Sequence, residues 1–450
     1  MKHPYRPLIN IFLLSTSLLF ASCNKYLEEN PENAITTEKS ITDAGTARAA
    51  ILGAYDALQG YYAGDFPTLG AITADNVTYN GSLSQYLQLD QNAIPSDNVI
   101  TVDAYQKIYK AINSANSVIA YVPGVTDPTL GSDEKNKILG EAYFIRALGY
   151  FDLGRGWGGV QLQLKPTSDL SVLSGIKRST LDETYAQVQT DLKQAESLLP
   201  EDATTRNRAQ KSTARALRAR LDLYRENWDS AEYYATQVIN NTKYSLVKPY
   251  KLFFTSPFLS SESVFELTFT SNDQNGFWNL WYPVSLGGQY TLKPSDSFIT
   301  KINDPNIGGS RKSLIAASKT NEIYGALYNT SATSTDPAYV IRIAELYLIR
   351  AEARAKKDKP DLAGAISDLD LVRARADVPG TSATTQSDII QAIEDENSIE
   401  FAFESHRWFD LSRTKRTGAV LGITNSNYWL FPIPSSDILS DPDVTQNPGY

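Results

Sequence analysis

Glu396, Glu400 and Glu404 lie four apart, so a continuous helix would place all three on one face. Paired carboxylates roughly 5–9.5 Å apart are the machinery of glycoside hydrolysis. The same spacing also suits ion pairing, and Arg407 and Arg413 follow closely. Pairing along and beyond the helix is the simpler account, which leaves catalysis there as the minor reading. His406 sits between Ser405 and Arg407 and reads as structural rather than as a general base. The only other histidine is His3, and the only cysteine is Cys23. That inventory excludes a zinc site of the usual His/Cys kind and leaves His406 alone for any nucleophile–histidine mechanism. "GRGWGG" (154–159) is glycine-rich but lacks the Lys and Ser/Thr of a phosphate loop. It reads as a helix end and turn, and no cofactor is implied.

The strongest binding candidates are aromatic. Trp278, Trp281, Tyr282 and Tyr290 cluster among Gly and Asn. Aromatic faces stack on the C–H surfaces of sugar rings, and Asn, Asp and Gln serve the hydroxyls. The bland alternative is that these rings pack loops onto the scaffold. Tyr79, Asn80 and Tyr86 form a weaker second group, beside Asp75 and Asn76, which read equally well as turn residues.

Cys23 calls for separate treatment. Lys2 and Arg6 precede an apolar run from Leu8 to Phe20, too short for the roughly 20 residues that span a bilayer. Ala21 and Ser22 then supply small residues. This order reads as a secretory signal peptide over residues 1–22. A cysteine directly after it looks like the acylation site of a bacterial lipoprotein, with Phe20 where Leu is more usual. One acyl chain holds only marginally, so a stable anchor needs several. The expectation is a tether over residues 23–40, then a single soluble domain over 41–450. The net charge is −9, and no basic cluster would track phosphates, which argues against nucleic acid.

The elements that must position these residues are mostly helical. Ala47, Ile51, Ala54 and Leu58 recur at helical spacing. Residues 64–98 are rich in Gly, Asn, Asp and Pro and read as loops. Helices follow over "VDAYQKIYKAINSANSVIAYV" and from Ser132, a plausible N-cap, to near Gly156. Residues 180–200 and 213–241 form helical segments, the latter broken at Glu226-Asn227, and 338–378 repeats that pattern with a break at Lys357–Pro360. Ala344, Ala351 and Ala355 recur on one face and permit close helix approach. These are degenerate tetratricopeptide-like helix pairs. Residues 41–240 are expected to be helical with early loops, 242–337 to be an irregular ligand-binding insertion with short strands, and 338–450 to hold the C-terminal helices and a Pro-rich extended tail. One last helix is expected to run from Ser387 through Thr414, and Glu352 and Lys356 to form an i,i+4 ion pair.

Four stretches together resemble the SusD/RagB family of outer-membrane nutrient-binding lipoproteins: "GEAYFIRALGYFDLGRGWGGV" (140–160), "YVIRIAELYLIRAEARAK" (339–356), "IEFAFESHRWFDLSRT" (399–414) and "FPIPSSDILSDPDVTQNPGY" (431–450). Their order and the lipoprotein-like N-terminus extend the resemblance over nearly the whole chain after the leader. Asn397 departs from it, standing where the family often has Arg. The resemblance implies a mostly α fold with tetratricopeptide-like pairs packed on an irregular binding region. It implies a surface-exposed, lipid-anchored outer-membrane protein that is not an enzyme, captures oligosaccharide or polysaccharide, and serves a SusC-like TonB-dependent transporter. The family motifs assign no binding residue, because they are structural. The competing readings are the same architecture carrying peptide or another nutrient, a tetratricopeptide-type interaction scaffold, and a surface glycosidase.

Overall fold

The computed structural model describes residues 40–167, 175–201 and 205–450. Residues 1–39, with Cys23 and nearly all of the expected tether, lie outside the described residues. From Ile41 to Tyr450 the chain forms one compact unit. Helix α1 (Ala44–Tyr62) starts at Asp43, whose carboxylate accepts from the Thr46 amide at 2.8 Å. The face expected from spacing is the one buried: Ala47, Ile51, Ala54 and Leu58. Next come α2 (Asp65–Ile72), β1 (Val77–Tyr79), α3 (Ser84–Asp90), α4 (Val99–Tyr121), α5 (Ser132–Trp157), α6 (Leu181–Leu198), α7 (Lys211–Tyr224) and α8 (Trp228–Ile239). The long helices α1, α4, α5, α6, α7 and α8 pack in series, each on the next.

The irregular stretch holds β2 (Ser263–Leu267), α9 (Trp278–Trp281), β3 (Leu292–Pro294), α10 (Asp296–Asn303), β4 (Ile315–Ala317) and β5 (Ile323–Gly325). It closes with β6 (Ala338–Arg342), after which α11 (Ile343–Lys356) resumes the helical stack against α8. Helices α12 (Leu362–Arg375), α13 (Gln386–Glu400), α14 (Arg407–Arg413), α15 (Thr417–Leu421) and α16 (Ser435–Ser440) complete the chain. The expected mostly helical fold with tetratricopeptide-like pairs and short strands is what forms. Ala344, Ala351 and Ala355 sit fully buried in a core shared by α11, α12 and α13, so the small residues do let those helices close in. The Glu226 break is real, with φ +57 at Glu226 between α7 and α8.

Five expectations need correcting, the first being the tail, which is not extended throughout because Ser435–Ser440 form α16. Residues 64–98 are not all loop: α2 forms although Pro67 is in it, because a proline in the first helical turn loses no intrahelical bond. Every residue from Phe66 to Ile72 is buried there, so tertiary packing overrides composition. Ser132 is the first helical residue of α5, and the N-cap is Gly131. Ala338–Arg342 is a strand rather than the start of a helix. It pairs antiparallel with β2, and both strands are buried throughout. Finally, the long C-terminal helix breaks at Phe401–His406, where Phe403 (φ +70) and Ser405 (φ +64) are left-handed.

The β2–β6 ribbon carries an unusual acid. Glu266 is fully buried, and its Oε1 accepts from the Leu259 amide at 2.7 Å, while Oε2 has no partner. Burial raises its pKa to about 7, against the lowering influence of nearby Ser263, the Leu259 amide and the more distant Arg206. The folded value lies above the unfolded one, so this group's stabilisation is full below about pH 4.5 and is lost as pH rises through about 7. We expect it to cost about 2 to 3 kcal/mol between pH 5 and pH 8. Glu266→Gln keeps the acceptor for Leu259 and cannot ionise. Urea unfolding at both pH values should show that the variant loses less stability on going to pH 8. Equal losses in the two proteins would refute the assignment.

Candidate functional site

The three glutamates do not form a glycosidase pair, nor do they pair along their own helix. Glu396 and Glu400 lie on α13, while Glu404 lies in the break after it. Their partners come from distant elements. Arg311 bonds Glu396 and, at 2.7 Å, Glu400. Arg342, at the end of β6, reaches Glu262 at 2.5 Å, Glu400 at 2.8 Å and Glu404 at 2.7 Å. Arg375 from α12 bonds Glu262 at 2.5 Å and also Glu400, and Arg373 meets Glu396 at 2.9 Å. Burial alone would raise the Glu400 pKa, but Arg375, Arg311 and Arg342 outweigh it and hold the group down at about 2. In Glu404 burial prevails over Arg342, and its pKa rises to about 7.

Arg407 instead pairs with Asp75 at 2.7 Å, and Arg413 with Glu352 at 2.8 Å. The expected Glu352–Lys356 pair is present at 2.8 Å. Desolvation, with Arg220 and Arg155 nearby, pushes the His406 pKa well down, so the imidazole is neutral; its ring stacks on Phe401 at 4.7 Å. The pocket lined by Glu404 and His406 has about 10 Å³ of free volume, room for one water and not for a sugar ring. Asn397, the departure from the family pattern, donates back to the Ile393 carbonyl at 3.0 Å.

The aromatic candidates are organised differently. Strand β1 pairs antiparallel with β3, placing Tyr79 opposite Leu292. The ladder continues beyond both strands: the Asn80 amide N–H donates to the Thr291 carbonyl at 2.8 Å, and Asn80 Nδ2 to the Tyr290 carbonyl at 2.9 Å. The two groups separated by some 200 positions in the chain are thereby joined. The Tyr290 amide in turn donates to the Tyr282 carbonyl at 2.9 Å, closing a hairpin loop over 283–289. Only glycine fits at 288, since a Cβ there would lie 2.1 Å from the Tyr282 carbonyl oxygen.

Within this frame Tyr282 lies 4.7 Å from Tyr324 and 5.5 Å from Trp278, measured between ring centroids. Trp278 donates its indole N–H to Ser334 Oγ at 2.8 Å, and the Tyr290 hydroxyl donates to the Ile323 carbonyl at 2.7 Å. Tyr79 stacks on Tyr86 at 5.7 Å and 16°. Burial, with Tyr324 beside it, pushes the Tyr282 pKa up to about 12, so its hydroxyl stays protonated at neutral pH. Hydrogen bonds from Thr320 and Ser318 lower the pKa of exposed Glu322, and Ser285 of the hairpin loop donates to it at 3.1 Å. Half-buried rings beside amides and an ionised acceptor can hold a polyhydroxylated ligand by stacking and hydrogen bonding.

Trp281 is the exception. It is 1% exposed, its ring 4.6 Å from Phe403, and a Cβ at Gly325 would lie 2.6 Å from it. It pins the hairpin to the core and offers no face to solvent. Asp75 and Asn76 likewise serve the scaffold: Asn76 is buried and donates to the Ser398 carbonyl at 2.6 Å. Tyr324 and Glu322 were not singled out from the sequence. They stand alone in "KTNEIYGAL", and the packing of β5 on β3, with the Tyr290 hydroxyl on the Ile323 carbonyl, carries them to the hairpin.

Fold and site together define a helical-pair scaffold carrying an aromatic surface on an inserted hairpin. A family model described as the SusD family matches residues 152–424, and the chain belongs to that family. A second model, described as starch-binding associating with outer membrane, matches residues 25–223. The chain is 24% identical to the SusD-like protein P38 of Formosa agariphila, over 98% of both chains. It is 24% identical to a SusD-like protein of Bacteroides ovatus, over 89% of this chain and 81% of that one. Among solved structures, a SusD superfamily protein from Bacteroides thetaiotaomicron superposes with a TM-score of 0.79 at 23% identity, covering 90% of this chain and all of that one. A laminarin-binding SusD-like protein superposes at 0.78 and 22% identity, covering 91% of this chain and all of that one. These structures share the fold. Among the described residues no helix is long and apolar enough to cross a membrane, and no group of His, Cys, Asp or Glu is placed to hold a metal ion.

Proposed function

We propose that this chain is a non-catalytic, lipid-anchored outer-membrane protein that captures oligosaccharide or polysaccharide at the cell surface and delivers it to a SusC-like TonB-dependent transporter. The observation that carries the reading is the β1–β3 ladder. It brings Tyr79, Asn80 and Tyr86 together with Tyr282, Tyr290 and Trp278 in a member of the SusD family. The fold shared with a laminarin-binding protein supports the same class of ligand. Cys23, as the acylated residue, supplies the anchor in this reading, and Trp281 supports the site from beneath.

The test is a binding screen of the full chain in detergent against soluble starch, laminarin and other polysaccharides, read by tryptophan fluorescence and calorimetry. Saturable binding with a change in indole emission and no release of reducing ends is expected. Absence of binding to every glycan, or turnover of one, would overturn the reading.

A further inference from the structure

A cavity of about 590 Å³ lies away from the hairpin, and no hairpin residue lines it. Its walls come from the end of α5, the start of α6, the α7–α8 turn, α14 and the segment around Trp429. The volume falls within the roughly 300–1,000 Å³ of small-ligand sites. Tyr185 and Tyr224 form one wall, both braced by Phe151, at 6.0 Å and 5.0 Å. Half-buried Trp429 forms another, oriented by its indole N–H donating to the Ile423 carbonyl at 2.9 Å.

The charges decide the ligand class. Arg155 is bonded to Asp152 at 2.6 Å, and Arg413 to Glu352 and Asp410, each at 2.8 Å. Neither guanidinium is left for an anion. Arg225 and Lys415 share the remaining wall with Asp182 and Glu226, so neither sign prevails. Asn227 and Ser426 add uncharged polar groups. A charge-balanced cavity with aromatic walls and small polar groups suits an uncharged polyhydroxylated ligand better than a nucleotide, an acid or a cationic peptide.

We propose that this cavity is a second carbohydrate site, independent of the hairpin, that takes a short uncharged oligosaccharide. The inference rests on the cavity's own chemistry and survives if the hairpin reading fails. The test titrates the full chain in detergent with maltoheptaose and laminarihexaose by calorimetry. Three variants are compared with the natural chain: Trp429→Ala, Ser426→Trp, which fills the mouth from an exposed position, and the double variant Trp278→Ala/Tyr282→Ala.

The expected result is binding at two sites in the natural chain. Trp429→Ala and Ser426→Trp each weaken one of them at least tenfold, and the hairpin double variant leaves that one intact. If the hairpin variant abolishes all binding while Trp429→Ala and Ser426→Trp bind unchanged, the cavity proposal is overturned and the hairpin reading stands. Binding that survives in the hairpin variant and is lost in both cavity variants supports the cavity alone. No binding by the natural chain overturns both.

Discussion

Arg342→Met will destabilise the protein by about 3–5 kcal/mol, the loss typical of removing one partner from a buried ion cluster. Arg342 is buried, lies 4.2 Å from the Phe253 ring and 4.8 Å from Phe401, and bonds three carboxylates as well as the Glu400 carbonyl. Methionine fills much of the volume but leaves Glu404 without the guanidinium that donates to both its oxygens. Glu400, held ionised with its pKa at about 2, also loses a partner, and that under-compensated buried charge, rather than the lost attraction, dominates the cost. The deficit should shrink at pH 5, where Glu404, with its pKa raised to about 7, is protonated. Arg373→Met is the control. Arg373 reaches only Glu396 among the acids, from a partly exposed position, and should cost about 1 kcal/mol. Urea unfolding decides: similar, small losses in the two variants would show that the cluster is not what ties β6 to α13.

The second large effect concerns binding. Trp278→Ala/Tyr282→Ala should weaken glycan binding at the hairpin about thirty- to a hundredfold, from two stacking contacts of roughly 1 kcal/mol each plus their polar edges. Trp278 is half-buried and tied to Ser334, and Tyr282 packs between Trp278 and Tyr324, so the double variant takes two adjoining rings out of the surface while leaving the β1–β3 ladder. Trp281→Phe serves as contrast. It removes a buried ring edge against Phe403, so it should lower thermal stability and leave affinity nearly unchanged. Calorimetric titration of both variants checks this. Full affinity in the double variant would remove the hairpin from consideration as the site.

Much of the scaffold was legible in the residues alone. The buried face of α1, the alanine-lined contact of α11 with α12 and α13, the turn at Glu226 and the Glu352–Lys356 pair all follow from local periodicity, which a helix translates directly into geometry. Family membership was legible from four motifs, two of them, at 140–160 and 339–356, carried mainly by helices α5 and α11.

Tertiary structure decided the rest. Glu396, Glu400 and Glu404 looked like one helical face until Phe403 and Ser405 turned left-handed and four arginines from other elements converged on them and Glu262. Nothing in local spacing encodes those long-range partners. Trp278 and Trp281 sit three residues apart with similar surroundings in the chain, yet one lies half-buried beside the hairpin and the other is sealed beneath Gly325. Helical spacing of three would put both rings on nearly the same side, so nothing local separates them, and only the packing of the rest of the chain determines which one is sealed. The meeting of Asn80 with Tyr290 through strand pairing, and of Tyr324 with Tyr282 through ring packing, is of the same kind, since both join residues across any sequence separation and leave no local trace.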